Sequence, residues 1–131
     1  MDLITIIQEK GSKFKTKIRN HEFFSDMAVR DGGNDEAPSP AELLVSSLGT
    51  CLGMTVDTYC KTHGYESKNI GITMTYLLND NPKRIKNITI DIELPDNFPD
   101  NRKRAILNSV KSCVIYNSIC KETEIDIEIE N

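Results

Sequence analysis

No apolar run in this 131-residue chain approaches the roughly 18 residues that a membrane span needs. The longest candidate, Leu43 to Met54, is interrupted by Ser46, Ser47, Gly49, Thr50 and Gly53, so no membrane association is expected. The N-terminus, Met1-Asp2-Leu3-Ile4-Thr5-Ile6-Ile7-Gln8-Glu9-Lys10, has no basic leader and meets charge before a signal-peptide core could form, and a cytoplasmic location is expected. Positive charge is not in excess either: 16 Lys and Arg against 20 Asp and Glu leave a net charge of −4. That balance gives solubility but no general attraction for nucleic acid, which is not expected as a partner. Histidine is scarce. With only His21 and His63, and with Cys60 and His63 as two candidate ligands one helical turn apart, the chain is short of a structural zinc set, and no metal is expected. No glycine pattern cradles a phosphate; Asp31-Gly32-Gly33-Asn34 reads as a mobile loop, and no cofactor is expected.

With 38% hydrophobic and 27% charged residues the composition is that of an ordinary globular protein, and the length fits one domain over residues 1–131. Four cysteines without a secretion signal point to reactive or buried thiols rather than a disulfide framework.

Periodicity organises the chain. Leu3–Ile7 is apolar and β-branched, Glu9-Lys10-Gly11-Ser12 is a turn signal, and Phe14, Thr16 and Ile18 then alternate with Lys13, Lys15, Lys17 and Arg19. This predicts a hairpin with one cationic face, and Asn20-His21 turns the chain into a third strand over Glu22–Met27. Asp31–Pro38 has the composition of a long loop. Ser39-Pro40-Ala41-Glu42 is a strong helix start: serine caps, proline suits the first helical position, and Glu42 closes a capping box. The helix should run to His63 and stop at Gly64, a length of roughly 36 Å at ~1.5 Å per residue. Beyond it, Ile72, Met74 and Tyr76 alternate with threonines, and Ile88, Ile90, Ile92 and Leu94 alternate with polar residues, which predicts a second hairpin. Asp100 caps a predicted helix through Ile106, Leu107, Val110 and Val114, and Ile125, Ile127 and Ile129 alternate with acids in a last strand. The expected fold is α+β in the order β-β-β-α-β-β-α-β, with the long helix covering antiparallel sheet.

Cys51 lies in the middle of the long helix among small residues. Gly49 and Gly53 each cost about 1 kcal/mol relative to alanine in a helix interior, which implies close approach of another backbone or a ligand. Cys60, nine residues on, falls on the opposite face and is a poor partner for Cys51. Cys113 sits at the end of the second helix and Cys120 seven residues later, nearly in phase if that helix continues, so phase alone does not choose between them. Taken alone, Cys51 reads as an inert buried thiol, and Cys60 and Cys120 read as buried.

Ser39-Pro40-Ala41-Glu42-Leu43-Leu44, a small-residue stretch ending in Cys51, and Cys113 on a later helix together resemble the OsmC/Ohr family over nearly the whole chain. The resemblance implies an intertwined homodimer with its long helices packed centrally, and a cysteine pair at each of two sites near the subunit interface. It also implies a thiol-dependent peroxidase that reduces organic hydroperoxides, with Cys51 as peroxidatic thiolate, Cys113 as resolving thiol and a dithiol as reductant. Aligned without gaps on Cys51, the glutamate of the hydroperoxide-resistance branch falls on Ala41, with Glu42 one position later, and Val114 stands where proline commonly follows the second cysteine. The likeness is therefore closer to the less characterised OsmC-like subgroup. Glu42 remains a candidate site residue beside its role as helix cap. The alternative reading is a non-enzymatic dimer that binds a small apolar or anionic ligand at the same interface. A cysteine thiol near pKa 8.5 needs a neighbouring cation or helix end to ionise at neutral pH, and the Lys13, Lys15, Lys17 and Arg19 face is the candidate source.

Overall fold

The computed structural model describes residues 2–130. They divide into two compact units, with the boundary between Val45 and Ser46 inside the long helix. The architecture is α+β, as expected.

The first unit holds β1 (Ile4–Lys10), β2 (Lys13–Ile18) and β3 (His21–Ser25), an antiparallel sheet in the order β1-β2-β3. Gly11, at a φ of +57°, makes the first turn. The register pairs Ile6 with Thr16 and Thr16 with Phe23, so alternate residues of three strands share one face. The Asp31–Pro38 segment is tied down rather than loose. Asp26, only 2% exposed, accepts hydrogen bonds from the Ser12 hydroxyl and from the backbone N–H groups of Met27 and Glu36. Gly33 and Asp35 also donate to the carbonyls of Ala28 and Met27. Gly33 itself is required, because a Cβ there would collide with the Met27 backbone. The loop composition seen in the sequence hid this buried carboxylate anchor.

Helix α1 spans Pro40–Thr62. Both expected ends are present. The Ser39 N–H donates to the Glu42 carboxylate at 2.9 Å and the Glu42 N–H to the Ser39 hydroxyl at 3.2 Å, which is the capping box. At the other end Gly64 adopts φ +74°, with Tyr65 N–H bonded to the Cys60 carbonyl and Gly64 N–H to that of Lys61. This is a Schellman stop, and it needs a residue free of Cβ strain.

In the second unit β4 (Gly71–Asp80) and β5 (Lys83–Glu93) form an antiparallel hairpin in which Ile72 faces Ile92, Met74 faces Ile90 and Tyr76 faces Ile88. These pairs form its apolar face. Against them pack Leu48, Leu52, Val56 and Cys60, four residues at helical i, i+4 spacing, with Tyr59 beside them. The second predicted helix is interrupted. A 3-10 turn at Asp100–Arg102 precedes α2 (Lys103–Val110), and α3 (Val114–Cys120) follows a break. Asp100 makes no cap; its carboxylate takes an ion pair from Lys103 at 2.9 Å instead. The break arises at Ser112 and Cys113, whose side chains bond locally. Ser112 donates to the Ser109 carbonyl at 2.6 Å, and Cys113, extended at φ −69° and ψ 150°, accepts the Tyr116 N–H. Ile106 and Val110 of α2 complete the core.

The expected last strand is not paired within the chain. Residues 122–130 belong to no helix or strand, and Ile125, Ile127 and Ile129 are 77%, 82% and 91% exposed. Alternation of apolar and acidic residues was legible there, but a strand needs a partner to donate to. None of the described helices is long and apolar enough to cross a membrane.

Candidate active site

Cys51 and Cys113 meet. Both line one cavity of about 440 Å³ in the second unit, Cys51 half-buried from α1 and Cys113 buried from the α2–α3 break. Each is there for a local reason. Cys51 occupies the helix face next to the buried Leu48–Leu52–Val56 row, so it lies at the edge of the core rather than inside it. Cys113 is the N-cap of α3, its sulfur accepting the Tyr116 N–H at 3.2 Å. It is therefore not the last residue of a continuous helix, and the phase question between Cys113 and Cys120 disappears with that helix.

Burial pushes the Cys113 thiol up. The Tyr116 N–H opposes this, and a side-chain hydrogen bond and the charge of Cys51 push it up again, so it remains above the ordinary thiol value. A raised thiol holds its proton at neutral pH and is a poor first nucleophile. Cys60 is fully buried in the core, its thiol raised by burial and then by the Asp57 carboxylate, and it lies outside the cavity. Cys120 is exposed, contrary to the buried reading; it ends α3 one turn beyond Tyr116, whose phenol its charge and hydrogen bond push up.

The two glycines serve a different neighbour. A Cβ on Gly49 would meet the Met74 sulfur and Ile72 Cγ2 (3.3 Å), and one on Gly53 would touch Ile72 at 3.7 Å. They let α1 approach β4, and they line a separate groove with Ile70, Ile72 and Met74. The small-residue stretch is a packing device and does not cradle the Cys51 thiol.

The rest of the thiol cavity was not singled out from the sequence. From α1 come Thr55, Tyr59 and His63, each four residues after the last, beginning at Cys51. Ser109 and Ser112 close the other side. Thr55 donates to the Cys51 carbonyl at 2.9 Å. The His63 ring stacks on Tyr59, with centroids 4.0 Å apart, and its Nδ1 lies 2.9 Å from the Tyr59 carbonyl. A carbonyl only accepts, so Nδ1 carries the proton. The i, i+4 ladder from Cys51 was the signal that could have found these residues. Among the described residues, no lysine or arginine lines the cavity.

Glu42 and the cationic strand belong to the first unit. The Glu42 carboxylate is held below its ordinary value of 4.5 by the Ser39 backbone N–H, then by the Ser39 hydroxyl, with Arg30 adding a smaller charge effect. Lys13 lies over the Phe24 ring at 4.8 Å and within 3.8 Å of Glu36, and Lys17 is 3.8 Å from Glu22. A lowered folded-state pKa stabilises above the unfolded value and is lost as pH falls through the folded one. Glu42→Gln, which still closes the box but carries no charge, should therefore lower the melting temperature slightly near pH 7 and flatten its acid limb, so that the two proteins converge below about pH 4.5. Thermal melts of both proteins between roughly pH 7 and pH 3 check this; an unchanged acid limb counts against the cap.

The sequence profile of the OsmC family, described as OsmC-like protein, matches residues 32–130, and the chain belongs to that family. Its fold is similar to that of a protein from Psychrobacter arcticus 273-4 whose description is an osmotic stress induced and detoxification response protein. The TM-score is 0.84 at 20% identity, covering 90% of this chain and 88% of that one. It is also similar to the organic hydroperoxide resistance protein OhrB of Bacillus subtilis (TM-score 0.62, 14% identity, 90% and 89% covered). An OsmC-like protein of unknown function from Vibrio cholerae gives 0.71 at 8% identity, with 90% and 92% covered. At these identities the likeness is one of fold. The chain matches none of the curated protein sequences at a significant level.

Proposed function

We propose that this protein is a thiol-dependent peroxidase that reduces organic hydroperoxides through Cys51 and Cys113. The observation that carries the reading is that two thiols, one on α1 and one at the N-cap of α3, line one cavity and interact within it. The Cys51 thiolate attacks the terminal oxygen of R–O–OH; the O–O bond breaks, Cys51 becomes a sulfenic acid, and the alkoxide takes a proton and leaves as the alcohol. Cys113 then attacks the Cys51 sulfur, the S–O bond breaks, and the hydroxide leaves as water with the Cys113 proton. An external dithiol reduces the Cys51–Cys113 disulfide by exchange and is itself oxidised. The raised Cys113 thiol suits the second step, in which it acts only once Cys51 is oxidised. Stress defence fits the names of the similar proteins from Psychrobacter and Bacillus.

The test is consumption of cumene hydroperoxide by the reduced protein with dithiothreitol, alongside a protein-free control. Catalytic loss of peroxide supports the reading and no loss beyond the control rejects it. Glu42→Gln in the same assay decides whether Glu42 is more than a cap: full turnover removes it from the site and leaves the cysteines in place.

The same reading takes the protein as a single-domain homodimer. Residues 122–130 belong to no helix or strand and alternate three exposed isoleucines with acids, the pattern of a strand that pairs outside its own chain. Light scattering at twice the chain mass supports this, and the chain mass alone contradicts it. A second reading, a dimer that binds a small apolar or anionic ligand without chemistry, is favoured by the engagement of Glu42 in the cap. Cys51→Ser separates the two, since it leaves ligand affinity nearly intact only under the second.

A further inference from the structure

Helix α3 is seven residues long and holds no fully buried side chain; Ile115 and Tyr116 rest, partly buried, against the core. A helix this short is not stable by itself, and its first N–H groups have no partner within the helix. The Cys113 sulfur supplies one: it accepts the Tyr116 N–H at 3.2 Å and takes a bond from the Ile115 N–H as well. The same sulfur is hydrogen-bonded to Cys51 across the cavity. One atom therefore serves both as the cap of α3 and as half of the thiol pair. Those two tasks compete. Forming a Cys51–Cys113 bond draws the sulfurs from hydrogen-bond contact to covalent distance, so one side has to give. Cys51 is held in the middle of the continuous helix α1, with its carbonyl bonded by the Thr55 hydroxyl. Cys113 lies in the break between α2 and α3, extended, its own N–H reaching the Val110 carbonyl only at 3.4 Å. Cys113 is the side that yields, and its sulfur turns toward α1 and away from the two N–H groups it caps.

We propose that Cys113 makes α3 a redox-responsive element, capped while the two thiols are reduced and uncapped and loosened once Cys51 and Cys113 are joined. This rests on the cysteine pair of the reading above but not on a peroxide as the oxidant. In either case the two thiols give up two protons and two electrons: a hydroperoxide leaves as alcohol and water, and diamide leaves as its hydrazine. The face that changes carries Ile119 and Cys120, both exposed, so the reduced and oxidised proteins present different surfaces to an incoming reductant.

Amide hydrogen exchange read by ¹⁵N NMR, before and after oxidation with one equivalent of diamide, tests this. A cross-link ordinarily slows exchange around it. Here the α1 amides should be slowed or unchanged, while those of Ile115 to Cys120 exchange at least about threefold faster and recover on reduction with dithiothreitol. Two variants isolate the cap. Cys113→Ser keeps an N-cap acceptor but forms no disulfide, so its α3 amides should not respond to diamide. Cys113→Ala has no cap, and without any oxidant its α3 should exchange as fast as that of the oxidised wild type. Unchanged or slowed α3 exchange in wild type carrying the mapped Cys51–Cys113 bond overturns the proposal. So does failure of that bond to form under diamide, an equal response in Cys113→Ser, or wild-type protection in Cys113→Ala. Should α3 loosen as expected in a protein that reduces no hydroperoxide, the peroxidase reading falls and the redox response of α3 stands.

Discussion

Cys51→Ser should abolish hydroperoxide reduction, lowering the rate on the order of a thousandfold or more, while leaving the melting temperature within a few degrees of wild type. The rate effect follows from nucleophilicity. A serine hydroxyl stays protonated at neutral pH and cannot be oxidised to a sulfenic acid, so the cycle has no first step. The small effect on stability follows from position. Cys51 stands half-buried on the cavity wall, outside the fully buried row of α1, and exchange of sulfur for oxygen there opens no void in the core. Peroxide consumption under dithiol, with a thermal melt on the same sample, checks both halves. Retained turnover would move the nucleophile elsewhere.

Leu52→Ala, one residue further along the helix, should do the reverse. Leu52 is 3% exposed and packs in the cluster formed by Leu48, Val56, Tyr59, Ile106 and Val110. Truncation removes its transfer energy and leaves a cavity, for a loss of about 2–5 kcal/mol. For a chain of this size that lowers the melting temperature by roughly 10 °C or more. Calorimetry measures it. A shift of less than about 2 °C would mean that this part of α1 is not the core of its unit. The contrast between neighbouring positions comes from a turn of about 100° per residue, which sets Leu52 toward β4 and β5 and Cys51 toward the α2–α3 break.

The ends of α1 were legible because capping is local chemistry: Ser39, Pro40, Glu42 and Gly64 each act within one turn of themselves. The two hairpins were legible for the same kind of reason, since period-two alternation belongs to single strands. What lay beyond the sequence depended on distant neighbours. The purpose of Gly49 and Gly53 could not be assigned without knowing that Ile72 and Met74 cross that face. The anchoring of the Asp31–Pro38 loop depended on Asp26, whose carboxylate carries no local sign of burial. The helix break at Cys113 turned on side-chain bonds to backbone at Ser112 and Cys113, which compete with helix continuation only weakly in sequence terms. Within the site, the cysteine pair came from a family resemblance, whereas Thr55, Tyr59 and His63 went unassigned although they follow Cys51 at simple i, i+4 spacing.

The most direct test of the two-thiol cycle is to map sulfur linkages after one equivalent of cumene hydroperoxide, by proteolysis under non-reducing conditions and mass spectrometry. The account predicts a Cys51–Cys113 disulfide, with Cys60 and Cys120 still free for alkylation once the protein is unfolded. Recovery of Cys51 and Cys113 as free thiols, or a linkage that joins Cys113 to Cys120 instead, would contradict it.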